Sequence, residues 1–295
     1  MPGKYRPLRV SLRAAVLGHP ISHSKSPALH LAAYSKLGLD IGYTAVDLTE
    51  QALPAFMDRV RHQDGWRGLS VTMPLKTGMV AEVDEVRGVA RTLGVVNTVA
   101  FEEAGGSVRR VGYNTDVAGI VNAVLNAGVV ASPSAVVLGG GGTAAAAVAA
   151  LKDLGTAHAQ VFVRDPSRAA DAQAAARGVG LAIDVRPMTE AATPTASADV
   201  VISTLPPRAA DNLAAEIAAL GFGTPGVLLD VAYDPWPSRI ATVWQAGGGT
   251  VVPGLEMLLY QAVEQVRLFT GRGDEVNAGV IDVMCDSVGL PRRAF

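Results

Sequence analysis

The chain has 295 residues, of which 49% are hydrophobic and only 5% aromatic, with 32 glycines and one cysteine. That length suits two ordinary domains, and the aliphatic, glycine-rich mixture points to α/β layers and away from a β-sandwich or a disordered chain. A formal net charge of −2 without a long basic run argues against nucleic acid as a partner, and no stretch reaches the ~20 apolar residues of a membrane span.

Cys285, as the lone cysteine, forms no internal disulfide, and arginines interrupt the apolar residues of the N-terminus so that no signal-peptide core is present. Both features predict a cytoplasmic protein. Monomer and homodimer remain equally open.

In chain order, Arg13–Gly18 reads as a strand, and Ser26–Gly38 as a helix with Ser26 as cap and Pro27 at its first position. Ile41–Leu48 reads as a strand and Gln51–Arg61 as a helix. In "GLSVTMPLK" (68–76), Leu69, Val71 and Met73 alternate with Ser70 and Thr72 until Pro74 ends the strand, and Lys76 follows. A helix is expected near Thr77–Leu93. Residues 95–114 read as a hairpin turning at Ala104, Gly105 and Gly106. A second βαβ series runs through 134–155, 159–164, 199–204 and 226–233, so a second domain is expected to begin near residue 115. From Leu255 the apolar spacing predicts a long helix.

The strongest single motif is in that second series. Val136, Val137 and Leu138 form a short apolar strand, Gly139, Gly140, Gly141 and Gly142 a tight loop, and Thr143 onward a helix. This is the strand–turn–helix context of a dinucleotide fingerprint, in which glycines admit a pyrophosphate to the backbone and the helix N-terminus supplies N–H groups and partial positive charge. Read without its context, the same run describes a flexible turn. The next strand ends in "VFVRDPSR". Arg164 and Arg168 suit the 2′-phosphate of NADP, whereas an acid such as Asp165 would suit the ribose of NAD unless it caps the helix that follows. NADP leads on this reading, with NAD kept open.

After the first strand comes "GHPISHSKSP" (18–27), where Ser24 and Ser26 would face the same way in an extended segment and could bond a carboxylate without adding charge. His19, His23 and His30 match no standard zinc spacing, so no metal site is expected and packing or capping roles are assigned to them.

Seven motifs, "GHPISHSKSPALH", "SVTMPLK", "GVVNT", "GYNTDVAG", "GGGGTAAAA", "DVAYDPWPS" and "GLEMLLYQA", occur in the order and approximate spacing of the shikimate dehydrogenase family, covering about Ala14 to Gly271. The chain resembles that family. The resemblance implies an NADPH-dependent, reversible reduction of 3-dehydroshikimate to shikimate, on the route to chorismate and the aromatic amino acids. It implies an α/β fold of two domains. One is a substrate domain with a mainly parallel sheet, residues 1–115, to which the C-terminal helices of 255–295 return. The other is a Rossmann-like NADP-binding domain, residues 116–254. It further implies that Ser24 and Ser26, helped by Tyr233, bind the substrate carboxylate, and that Thr72, Lys76, Asn97, Asp116 and Gln261 hold the ring hydroxyls and the reacting oxygen. On the cofactor side it implies the glycine loop, Arg164 and Arg168, with Val231 and Gly254 at the nicotinamide.

Elementary chemistry agrees. Reduction of a ketone leaves a developing alkoxide that needs charge stabilisation and a proton, and an ammonium supplies both. Lys76 and Asp116 are therefore the predicted catalytic pair, titrating as a unit, with a salt bridge of purely structural purpose as the competing reading. Ser70 departs from the asparagine usual in the family, and Asp165 from a threonine. An NAD-linked quinate or dual quinate/shikimate dehydrogenase tends to carry threonine at the position of Ser26 and an acid at that of Val163. A non-catalytic NADP sensor would be expected to have lost Lys76 or Asp116. Ser26 and Val163 favour shikimate with NADP, and the presence of Lys76 and Asp116 argues against the sensor.

Overall fold

The computed structural model describes residues 11–292 apart from Phe222, Thr224 and Pro225. The side chain of Arg168, and with it the expected role of that residue, lies outside the described residues, as does the start of the N-terminal segment.

The elements follow as β1 (Leu12–Gly18), α1 (Ser26–Lys36), β2 (Ile41–Asp47), α2 (Leu53–Arg61), β3 (Trp66–Val71), β4 (Glu85–Val86), α3 (Val89–Leu93), β5 (Thr98–Ala104) and β6 (Ser107–Tyr113). They continue as α4 (Asp116–Asn126), β7 (Ala135–Leu138), α5 (Gly142–Asp153), β8 (His158–Val163), α6 (Ala170–Val179), β9 (Ala182–Pro187), α7 (Ala192–Ser197), β10 (Val200–Ser203), α8 (Asp211–Ala219), β11 (Val227–Asp230), α9 (Arg239–Ala246), β12 (Thr250–Pro253), α10 (Gly254–Thr270) and α11 (Ala278–Val288). Contacts divide the chain into two units. The first takes the chain up to Glu85, then Val96–Gly112, then everything from Gln265 onward; the second takes Val86–Val95 and Tyr113–Glu264.

The sheet of the first unit has the order β2-β1-β3-β5-β6-β4. β1 lies parallel to both β2 and β3, and β5 runs antiparallel to β3. Ala14 to Leu17 are buried as a continuous run, as expected of a strand covered on both faces. Helix α11 packs on α1, so the C-terminal helix belongs to the first sheet's layer, and Cys285 is buried within it. Gly105 and Gly106 turn the β5–β6 hairpin with φ of 59° and 82°, the positive pair that a two-residue turn with the right twist requires.

Two local expectations are corrected. The single helix near Thr77–Leu93 is broken into a 3-10 turn at Gly78–Glu82, the short strand β4 and the one-turn helix α3: the backbone becomes extended at Val83, and Gly88 takes φ of 56° ahead of α3. Ser26 does not cap α1: Lys25 occupies that position without a side-chain bond, and the Ser24 hydroxyl accepts from the Ser26 N–H at 3.3 Å.

In the second unit the order is β12-β11-β10-β7-β8-β9, and every neighbouring pair is parallel. The order reverses between β7 and β10, which creates a crevice outside the carboxyl ends of those strands where α/β sheets bind ligands. All four residues of β7 are buried, and burying a Val or Leu side chain in such a strand contributes roughly 1.5–3 kcal/mol. Helix α5 buries every residue from Ala144 to Leu151 between α4 and α6. Alanine suits that place because it is the best helix former and its methyl group allows close approach.

Candidate active site

In the first unit, backbone bonds gather the sequence-predicted residues at the carboxyl end of β1 and β3. The Thr72 N–H donates to the Leu17 carbonyl at 2.9 Å, and the Val71 N–H donates to the Asn97 carbonyl at 2.7 Å. The Lys76 carbonyl accepts from the Val96 N–H at 3.0 Å, so Lys76 and Asn97 are held one residue apart along neighbouring backbones. Gly18 ends β1 where a Cβ would collide with the Thr72 methyl and lie 3.0 Å from the Met73 carbonyl. A side chain there would push Thr72 away. Lys76 and Thr72 are half-buried, Ser26 and Asn97 buried.

Behind these residues lies a polar cluster that the sequence reading did not find. The Tyr43 hydroxyl donates to Ser70 Oγ at 2.7 Å, and Ser70 in turn donates to Gln265 Oε1 at 2.7 Å. The serine that departs from the family pattern therefore supplies a buried hydroxyl link. His30 is fully buried, stacked on Tyr43 at 4.1 Å between ring centroids, with Nδ1 3.0 Å from the Tyr34 hydroxyl and Nε2 3.1 Å from Gln265 Oε1. Desolvation pushes His30 down to about 3, partly opposed by its bond to Gln265, so the ring is neutral. Burial raises both tyrosines above their ordinary range. Of the other two histidines discussed, His19 pairs through Nδ1 with exposed Asp47, and His23 is exposed.

In the second unit, Asp116 opens α4 and is buried, its N–H donating to Asn114 Oδ1 at 3.0 Å. Asn114 is tied by its Nδ2 to the Val95 carbonyl at 3.2 Å. Gln261 on α10 is also buried, its Nε2 donating to the Leu258 carbonyl at 2.9 Å. Gly119 makes this neighbourhood compact, since a Cβ there would meet the Met257 carbonyl at 2.8 Å and Gln261 Cβ at 3.0 Å. Asp116 and Gln261 are thus brought together on α4 and α10, while Lys76 belongs to the other unit.

The glycine loop sits at the carboxyl end of β7. Gly139 has φ of 114°, and a Cβ on it would collide with Thr204 Oγ1, so both conformation and space demand glycine. Gly141 occupies the N-cap of α5 and has no side chain with which to cap, leaving the first turn of a 12-residue helix to present its amides to an anion. Gly254 begins α10 with its backbone against that of Val231, where a Cβ would lie 2.8 Å from Val231 Cα and still closer to its carbonyl. These observations fit a bound dinucleotide.

After β8, Arg164 is exposed, and Asp165 is engaged as a cap, accepting from Ser167 N–H at 3.0 Å and Ser167 Oγ at 2.8 Å. The acid that raised the question of NAD thus has a local structural role. Tyr233 is half-buried, and burial followed by the charge of Asp234 raises its hydroxyl above the ordinary range. Asp230, missed in the sequence reading, ends β11 and anchors the turn carrying Val231 and Tyr233: it accepts from the Ser238 hydroxyl and from the Ala232 N–H at 3.4 Å. Burial pushes its carboxyl above the usual carboxylate range. A cavity of about 160 Å³ adjoins it, lined in part by Ser203, Arg208, Asp230, Ser238 and Arg239.

Residues 16–99 match the family model described as the shikimate dehydrogenase substrate binding domain, and residues 254–273 that of the shikimate 5'-dehydrogenase C-terminal domain. A shikimate dehydrogenase (NADP(+)) of Rubrobacter xylanophilus is 38% identical over 268 residues, covering 89% of this chain and 92% of that protein. The crystal structure of Mycobacterium tuberculosis shikimate dehydrogenase superposes with a TM-score of 0.82 at 36% identity, covering 94% of this chain and 99% of the other. That of the Thermus thermophilus enzyme, in complex with NADP(H) and shikimate, gives 0.76 at 33% identity, covering 94% and 99%.

Proposed function

The chain belongs to the shikimate dehydrogenase family, and from that premise we propose that it catalyses the reversible, NADP-linked reduction of 3-dehydroshikimate to shikimate. The observation that carries this reading is the presence, in one chain, of two groups of residues. One is the polar group Ser24, Ser26, Thr72, Lys76 and Asn97 at the carboxyl edge of the first sheet; the other is the uncapped glycine loop at the switch point of the second. The first unit then serves as substrate domain and the second as cofactor domain. Among the described residues no helix is long and apolar enough to cross a membrane. The proposed place of action is the cytoplasm, as a monomer or homodimer.

NADPH supplies the hydride. Ser24 and Ser26, with Tyr233, bind the carboxylate through neutral hydroxyls. Thr72, Asn97 and Gln261 orient the ring hydroxyls. Gly139 to Thr143 would cradle the pyrophosphate, Arg164 would meet the 2′-phosphate, and Val231 and Gly254 would flank the nicotinamide. Asp165 caps the 3-10 turn that follows β8 through its Oδ1, and the neighbouring arginine favours the phosphorylated cofactor. Lys76 offsets the developing alkoxide with its ammonium charge and delivers the proton, while Asp116 bonds a substrate hydroxyl.

The test is steady-state kinetics of Lys76→Ala in both directions. Loss of a transition-state charge and proton donor lowers kcat by roughly 100-fold or more. A near-normal kcat with only a raised KM for shikimate would reduce Lys76 to a binding residue.

A further inference from the structure

Five buried residues of the first unit form one hydrogen-bonded chain that ends at Asn97 on one side and at Tyr43, beside Ser26, on the other; Asn97 and Ser26 are assigned above to the substrate. From Gln265 Oε1 the chain passes to Ser70, then Tyr43, whose hydroxyl has that of Ser26 as a neighbour favouring its ionised form. From Gln265 Nε2 it passes to Thr98 Oγ1 at 3.0 Å, and Thr98 donates to Asn97 Oδ1 at 2.8 Å. None of the five is more than 4% exposed.

The orientation of the Gln265 amide is determined by its surroundings. Nε2 also faces the Asn97 carbonyl at 3.4 Å, a group that can only accept, so a flipped amide would set two acceptors against each other. Oε1 therefore points to Ser70 and His30. Because a carbonyl accepts only, Ser70 must give its single proton to Gln265, and Tyr43 must give its own to Ser70. Neutral His30 likewise presents Nε2–H to the same oxygen and accepts from Tyr34 at Nδ1. One amide thus sets the direction of every bond around it, in a medium where an unmade bond is costly.

We propose that Gln265 is a positioning residue for substrate binding, its amide holding Ser26 through Ser70 and Tyr43 and Asn97 through Thr98. This rests on the assignment of Ser26 and Asn97 to the substrate. Gln265 lies one helical turn after Gln261, itself a proposed substrate residue, so α10 would serve substrate binding directly at one position and indirectly at the next turn.

The experiment measures kcat, KM for shikimate and KM for NADP in the full-length enzyme and in Gln265→Met, Tyr43→Phe, their double variant, Ser26→Ala and Asn97→Ala. Gln265→Met should raise KM for shikimate about tenfold, and Tyr43→Phe about fivefold, the scale of one or two hydrogen bonds, with KM for NADP within about twofold. The double variant should fall short of the product of the two effects, because both act on the same branch. A merely structural role would lower thermal stability and the active fraction without moving KM for shikimate. Tyr43→Phe removes a single oxygen and keeps the test open if Gln265→Met fails to fold. The proposal is overturned if Ser26→Ala or Asn97→Ala raises KM for shikimate while neither Tyr43→Phe nor Gln265→Met does. If Ser26→Ala and Asn97→Ala both leave it unchanged, the substrate assignment fails and the proposal with it.

Discussion

His30 makes the first unit sensitive to acid in a way that can be calculated. Its ring titrates near 6.5 in an unfolded chain and at about 3 when buried, because no water reaches it and Gln265 offers only partial compensation. Between those values the unfolded chain binds a proton that the folded chain refuses. Stability contributed by neutral His30 is therefore fully present above the unfolded value and is lost as pH falls, at about 1.4 kcal/mol per pH unit. From pH 7 to 4.5 the loss from this one group is roughly 2.5 kcal/mol.

The groups facing His30 do not obscure the effect, since Tyr34 and Tyr43 are raised and stay neutral throughout. Asp84 and Asp199, held low by their partners, lose their contribution only as pH drops below the unfolded value near 3.8. Asp230 is raised and has the opposite sign, but it is common to both proteins in the comparison. The assay is hydrogen exchange at the β1 and β3 amides, which reports opening of the first unit, in the unsubstituted chain and in His30→Gln at several pH values. The glutamine does not titrate, so its stability should decline less steeply by ~1.4 kcal/mol per unit between pH 6 and 4.5. Parallel pH dependences would refute the buried, neutral imidazole.

Three further predictions concern the second unit. Gly139→Ala forces a methyl group into φ of 114° and against Thr204; KM for NADP should rise at least tenfold with KM for shikimate little changed, in initial-rate assays varying each substrate. Arg164→Ala removes a charged partner of the 2′-phosphate; KM for NADP should rise about tenfold and that for NAD stay within about twofold, and equal effects on both cofactors would count against the assignment. Asp230→Ala leaves the Ser238 hydroxyl and the Ala232 N–H without their acceptor and should cost ~1–3 kcal/mol in urea denaturation, whereas Asp230→Asn, which keeps an acceptor, should cost less.

Much of the fold was legible because its signals are local. Alternation in Leu69, Ser70 and Val71, the apolar run of β7 and the paired glycines at 105 and 106 each specify a backbone conformation within a few residues. The helix expected across 77–93 failed because its composition did not show two interruptions, an extended Val83 and a Gly88 at φ of 56°. The positions of the residues at the strand ends were also readable, since "SVTMPLK" and the glycine loop lie beside the strands that place them.

The sequence by itself determined the α/β alternation and the glycine loop between β7 and α5. Tertiary structure alone decided which distant polar groups meet. Gln265 reaches Ser70 across 195 positions and His30 across 235, and no spacing rule connects them. The Asp165 cap was one of the alternatives open in the sequence, whereas the Asp230 anchor became recognisable only when its partners were seen. The reason is physical: secondary structure follows from periodicity along the chain, whereas a hydrogen bond depends on a distance of about 3 Å in space and on burial that removes water as a competitor.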